Sequence, residues 1–163
     1  QTRIGKMDDG QCNAILLAYA GVNRMEYNDL IVETLPLEQF IPPVGQGSVA
    51  IESAINLDAK KRETIRKAVN HPDTEFRLLA ERAFLKTLKG GCSIPAFCMA
   101  ELEGDDQLKV TGGMISLDGR TLIKNVLTGA RGDAAQLGDQ MAKLTLEQGG
   151  ADILAAIRAE RGE

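Results

Sequence analysis

Cys92 stands in the stretch Leu88-Lys89-Gly90-Gly91-Cys92-Ser93-Ile94-Pro95, directly behind two glycines and shortly ahead of a proline. A thiol is nucleophilic as the thiolate, which helix N-termini and adjacent cations favour. The spacing upstream predicts a helix that ends at Gly90-Gly91, so Cys92 falls at the negative end of the helix dipole, where ionisation is opposed. Lys86 and Lys89 could offset that. There is no Cys-x-x-Cys, and the only histidine, His71, belongs to the far side of the helix, so cysteine-protease or thioredoxin-like chemistry has little to rest on. Two readings stay open at the level of the residues. Cys92 is either an anchor on an open loop, whose glycines let a bulky group approach the backbone, or a small buried hydrophobe, the usual fate of a free cysteine. Cys12 and Cys98 lie inside apolar runs and read as buried. These scattered cysteines and one histidine lack the spacing of a metal site.

The elements that would carry these residues follow from periodicity. Arg3 to Asp9 reads as a short helix or loop closed by Asp9-Gly10. Cys12 to Ala20 (CNAILLAYA) is an almost unbroken apolar run closed by Gly21, the pattern of a strand buried on both faces, with a buried helix turn as the alternative for so short a run. Phe40 to Glu52 (FIPPVGQGSVAIE) reads as an extended crossing with a GQG bend, resuming as a strand at SVAIE. Asp58 can cap a helix to about Val69, with Ile65, Ala68 and Val69 on its apolar side. Asn70-His71-Pro72 breaks it, and Asp73 or Thr74 caps a second helix with Phe76, Leu79, Ala80, Ala83, Phe84, Thr87 and Leu88 at helical spacing.

Beyond Pro95 the period becomes two, in runs near 96–102, 108–116 and 121–129. They are joined by Glu103-Gly104-Asp105-Asp106 and Asp118-Gly119, which predicts a three-stranded meander. Asp133 and Gln136 suggest a capping box for a helix lined by Ala134, Leu137, Met141, Leu144 and Thr145. Gly149-Gly150 stops that helix, and a last one turns Ile153, Leu154 and Ile157 inward. Residues from about 72 onward therefore read as a complete α+β domain. The first 70 do not.

With 23 acidic against 19 basic residues, the net charge of −4 argues against a general nucleic-acid or anionic-membrane surface, while leaving room for local arginines that bind a carboxylated ligand. No apolar run approaches 18 residues and no signal peptide is evident, so the expectation is a cytoplasmic protein away from membranes. The chain opens on Gln1-Thr2-Arg3 without an initiator methionine, which reads as processing or truncation.

LKGGCSIP with the following AELEGDDQL, the upstream LLAERAFL, VGQGSVAIE and AILLAYAGVNR, all in register, resemble the porphobilinogen deaminases, also called hydroxymethylbilane synthases. The resemblance runs along nearly the whole chain. It implies an α/β plus α+β organisation. Residues 1–45 would be the later part of a periplasmic-binding-protein-like domain two, 46–70 a crossing segment returning through domain one, and 71–163 a C-terminal domain with a small three-stranded antiparallel sheet. By the same resemblance Cys92 carries a dipyrromethane cofactor through a thioether. Gly21 and Gln46 lie by the cofactor and growing pyrrole chain, and Arg3 and Arg24 bind substrate carboxylates. Without the resemblance the arginines would read as ordinary surface residues, and Gly21 and the GQG turn as common structural features. Arg82 also matches a family arginine, with a structural ion pair as an equal alternative.

The implied reaction polymerises four porphobilinogen molecules head to tail with loss of ammonia, releasing hydroxymethylbilane from a complete enzyme expected to be monomeric. The family's catalytic aspartate falls before Gln1. The chain alone is therefore expected to be inactive, with the missing N-terminal portion as its partner. The competing reading is a non-catalytic binding module, which predicts an unmodified Cys92 and an exposed apolar surface around 15–20.

Overall fold

A computed structural model describes residues 2–89 and 94–161, in two units, 1–36 and 37–163. The first contains two short helices, α1 (Thr2–Asp8) and α2 (Tyr19–Arg24), and a 3-10 turn at Asn28–Leu30. As expected, α1 ends at the Asp9-Gly10 turn, where Gly10 has φ 75°. The apolar run from Cys12 is not a strand. Residues 12–18 take no regular structure, Leu16 is 74% exposed, and Gly21 lies within α2 rather than closing a strand. A strand needs a ladder partner for its backbone groups, and no described segment pairs with this one.

The second unit carries the sheet. Strands β1 (Ala96–Glu103), β2 (Gln107–Ile115) and β3 (Leu122–Ala130) form the predicted antiparallel meander in the order β1-β2-β3. Gly104 and Gly119 supply the positive φ that both turns require. Cys98 pairs with Gly112 and Ala100 with Val110, so one face of the sheet collects Cys98, Ala100, Leu108, Val110 and Met114, all buried.

Helices α4 (Pro72–Thr87), α5 (Ala134–Thr145) and α6 (Ala151–Arg161) complete that core with Ala80, Phe84, Leu137, Met141, Ile153, Leu154 and Ile157. Glycines permit the close approach. A Cβ on Gly138 would stand 1.9 Å from the Ala80 carbonyl oxygen, where α5 crosses α4. One on Gly113 would stand 1.8 Å from the Ile123 oxygen. The expected stop at Gly149 is present, with φ 107°, between α5 and α6.

Helix α3 (Ala59–Val69) begins as predicted, with Asp58 Oδ1 accepting the Lys61 amide hydrogen at 3.0 Å. Its apolar side, Ile65 and Val69, remains exposed. The preceding SVAIE segment is not a strand either, and Val49 is 90% exposed. Its cause matches that at residues 12–18: no described neighbour offers a ladder.

Three helix termini differ from expectation. His71, not Asp73 or Thr74, caps α4: its Nδ1 accepts the Thr74 amide hydrogen at 3.3 Å, with Pro72 in the first turn, where a missing N–H costs nothing. Helix α4 ends before the glycine pair, since Lys89 already takes the left-handed conformation at φ 51°; Gly90 and Gly91 lie outside the described residues. The Asp133–Gln136 capping box does not form. Residues Arg131–Asp133 are a 3-10 turn, which leaves Asp133 at φ −97°, ψ 18°, away from the extended conformation a cap needs.

Candidate functional site

Gln46 sits in a turn built by two glycines. Gly45 and Gly47 have φ 77° and 79°, a region costly for side-chain-bearing residues, and the Gln46 amide donates to the Pro43 carbonyl at 3.3 Å. Gln46 itself is exposed. The turn is held from α4: the Gly45 amide donates to Glu81 Oε2 at 2.8 Å, and a Cβ on Gly45 would meet Leu78 at 3.8 Å.

In the first unit, Arg3 on α1 and Arg24 on α2 are exposed, and neither has an ion-pair partner among the described residues. A guanidinium without a protein carboxylate keeps its planar fork of donors free for a ligand carboxylate. Gly21 lies between them in sequence, and a Cβ there would meet nothing within 4 Å. This open space is compatible with a bulky neighbour, and no packing within the described chain requires glycine at that position.

The described cysteines behave differently from one another. Cys98 is buried, and its thiol is pushed far up, first by burial and then by the charge of Glu81, so it is not a nucleophile at neutral pH. Cys12 is partly exposed. Cys92, the thiol singled out from the sequence, lies outside the described residues, between α4 and β1. Arg82 is exposed with no ion pair among the described residues, so the structural alternative weighed for it is not realised there. A surface groove lined by Val49, Ile51, Ile65 and Val69 with Arg62 and Arg66 contains none of Arg3, Gly21, Arg24 or Gln46.

Sequence reasoning missed the residues that hold these pieces. Glu81 is one. Arg62 is another, its guanidinium donating to the carbonyls of Ile55 at 2.8 Å and Leu57 at 3.2 Å, which braces the chain ahead of α3. Arg131 is a third, stacked 5.3 Å over the Phe76 ring and paired with Asp73 and Asp106 at 3.7 and 3.6 Å, joining the start of α4 to the end of β3. Only Glu81 left a sequence signal: an acidic residue beside Ala80 on the inward side of an apolar helical stripe.

A three-stranded meander packed by helices in the second unit, with exposed arginines on the helices of the first, defines an α+β protein. Comparison with known proteins then identifies its relatives. Residues 1–62 match the family model described as "Porphobilinogen deaminase, dipyromethane cofactor binding domain", and residues 76–147 match "Porphobilinogen deaminase, C-terminal domain". The porphobilinogen deaminase of Desulfosudis oleivorans is 53% identical over 99% of this chain and 52% of its own length. That of Cytophaga hutchinsonii is 49% identical over 97% of the chain and 50% of its own length. The Nostoc enzyme is 40% identical over 98% and 48% respectively.

The chain belongs to the porphobilinogen deaminase family and spans about half the length of the curated relatives it matches. Arg3, Gly21, Arg24 and Gln46 fall within the first matched region and Cys92 within the second.

Proposed function

We propose that this chain is the C-terminal portion of a hydroxymethylbilane synthase, a transferase that condenses four porphobilinogen molecules head to tail with loss of ammonia. The observation that carries the proposal is the pair of family matches, in order, to a cofactor-binding domain and a C-terminal domain. In this reading residues 1–45 belong to a periplasmic-binding-protein-like domain two, 46–70 cross back through domain one, and 71–163 form the third domain.

Cys92 would hold dipyrromethane through a thioether, with Gly21 and Gln46 beside it and Arg3 and Arg24 on the carboxylates. The described residues fit such a group: two unpaired guanidinium groups, one glycine open to space, and one exposed amide on a glycine-built turn. Bound dipyrromethane supplies the primer on which the product is assembled. What this chain's residues contribute is recognition and orientation. Each pyrrole brings acetate and propionate groups, and bidentate guanidinium contacts fix both position and rotation of a carboxylate. The unavailable Cys98 thiol does not compete with Cys92 for attachment.

Leu16 at 74% exposed, with Val32 of the same unit also bare, supports a partner that covers apolar residues of the first unit, and the reading assigns that partner to the remaining part of the enzyme. The same exposure favours the second reading, a non-catalytic binding module. A cytoplasmic location and a monomeric complete enzyme belong to the first reading.

Intact mass of the denatured chain separates the two. An increment of two linked pyrroles that disappears in Cys92→Ser is expected for the synthase portion produced with its complement. An unmodified Cys92 in that complete preparation contradicts the tether. The isolated chain is expected not to consume porphobilinogen, and turnover by it would refute the assignment of the catalytic carboxylate to the missing portion.

A further inference from the structure

One peptide of β1 is gripped from outside the sheet by two side chains of α4. Glu81 Oε1 accepts the Ala100 amide hydrogen at 3.0 Å, and Arg77 Nε donates to the Ala100 carbonyl at 2.6 Å. β1 is an edge strand, and both groups of Ala100 point away from β2. Helix α4 thus supplies the bonds a fourth strand would have made. The other oxygen of Glu81, Oε2, accepts the Gly45 amide hydrogen at 2.8 Å. Glu81 is only 6% exposed and has no ion-pair partner among the described residues.

Burying a carboxylate is costly unless its oxygens are hydrogen-bonded. Here both are, to amides from two different segments. The chemistry requires a carboxylate: glutamine has one acceptor oxygen, so its NH2 group would face one of the two N–H donors. The Gly45 amide is the first group of the turn that displays Gln46, while α4 and β1 are the elements on either side of residues 88–95.

We propose that Glu81 is a positioning residue, a two-oxygen clamp that fixes the Gly45-Gln46-Gly47 turn against α4 and β1 and thereby sets where Gln46 meets the pyrrole chain. This rests on the reading of Gln46 given above. Losing a charge-assisted bond predicts that Glu81→Gln speeds exchange of the Gly45 amide hydrogen about tenfold or more, while the amides of Met114 and Met141 keep their protection.

The wild-type chain supplies a check that needs no variant: residue-resolved exchange must show Gly45 protected together with Ala100. A Gly45 amide exchanging at the free-peptide rate, or one unchanged in Glu81→Gln, overturns the clamp. With the complementary portion of the enzyme present, Glu81→Gln and Gln46→Ala are both expected to raise KM for porphobilinogen more than they lower kcat. If Gln46→Ala leaves KM at the wild-type value while the exchange results hold, the role of Gln46 falls and the clamp stands. If Gln46→Ala raises KM but Glu81→Gln does not, the clamp has no bearing on the site and the proposal fails.

Discussion

Residues 2–71 and 72–161 obey different physics. The front portion is rich in apolar side chains, yet none of its described residues is buried, and its helices α1 and α2 are 7 and 6 residues long. Isolated helices of that length are marginal in water. The rear portion holds every residue of the hydrophobic core, from Ala80 to Ile157, around one sheet. The difference shows what distinguishes a domain from a piece of one. Apolar content is similar in both, but the rear packs its apolar faces against one another, whereas the front adds to that core the partly buried Val44.

The hardest way to break the comparison is a substitution at the centre of the rear core. Phe84 is fully buried beneath the sheet, and Phe84→Ala is expected to cost about 3–5 kcal/mol, the removed transfer energy plus the cavity left behind. Gly138→Ala forces a methyl onto the Ala80 carbonyl and is expected to cost about 3 kcal/mol or more, because backbone rather than a flexible side chain must yield. Val32, fully exposed, is the control: Val32→Ala is expected to change stability by less than about 0.5 kcal/mol. Urea unfolding followed by far-UV circular dichroism measures all three. A large loss at Val32 would show that the front is part of the same core after all.

A smaller effect sharpens the comparison through pH. Burial and Glu81 raise the Cys98 thiol above its ordinary value of 9.0, so the folded chain holds that proton more tightly than the unfolded chain does. The resulting stabilisation is fully present below pH 9 and is lost as pH climbs from there toward the folded value. Each pH unit above 9 is expected to remove about 1.4 kcal/mol through this residue. The signature is the difference in unfolding free energy between wild type and Cys98→Ala, flat from pH 7 to 8.5 and shrinking above pH 9. A difference that stays flat to pH 10.5 would mean that Cys98 ionises in the folded chain as easily as in the unfolded one.

Much of the rear portion was legible because its signals are local. The stripe through Phe76, Ala80, Phe84 and Leu88, the period of two after Pro95, and the glycines at 104 and 119 each specify an element without reference to the rest of the fold. The front misled for the converse reason. Cys12 to Ala20 and SVAIE have the composition of strands, but a strand is completed by a neighbour, and the described chain holds none for them. Gly112, Gly113 and Gly138 carry no turn signal, since their role is to admit Met141, Phe97 and the backbone of α4 at close range.

The candidate site divides in the same way. Arg3 and Arg24 read as ordinary surface residues by spacing, and family resemblance alone marked them. Glu81 bonds Gly45 and Ala100, which lie 36 and 19 residues from it in sequence, and its inward placement was the only local trace of that.

The smallest predicted effect falls on the border between the two portions. Helix α3 is capped by Asp58 and braced at its end, where Arg66 and Asn70 both bond Glu75 of α4, but it buries none of its own residues. Its stability should therefore come from local terms, whereas that of α4 comes from packing. Asp58→Ala removes the acceptor for the Lys61 amide and should cost about 1 kcal/mol of local helix stability. Because α3 contributes no side chain to the core, that cost should appear as faster hydrogen exchange across residues 59–69 with the global unfolding midpoint unchanged. His71→Ala removes the cap of α4, whose first turn is tied to β3 through Arg131, so the same local loss there should lower the global midpoint. If both cap variants shift the global midpoint equally, α3 is part of the rear cooperative unit, and the boundary between the two kinds of structure lies nearer residue 58 than residue 71.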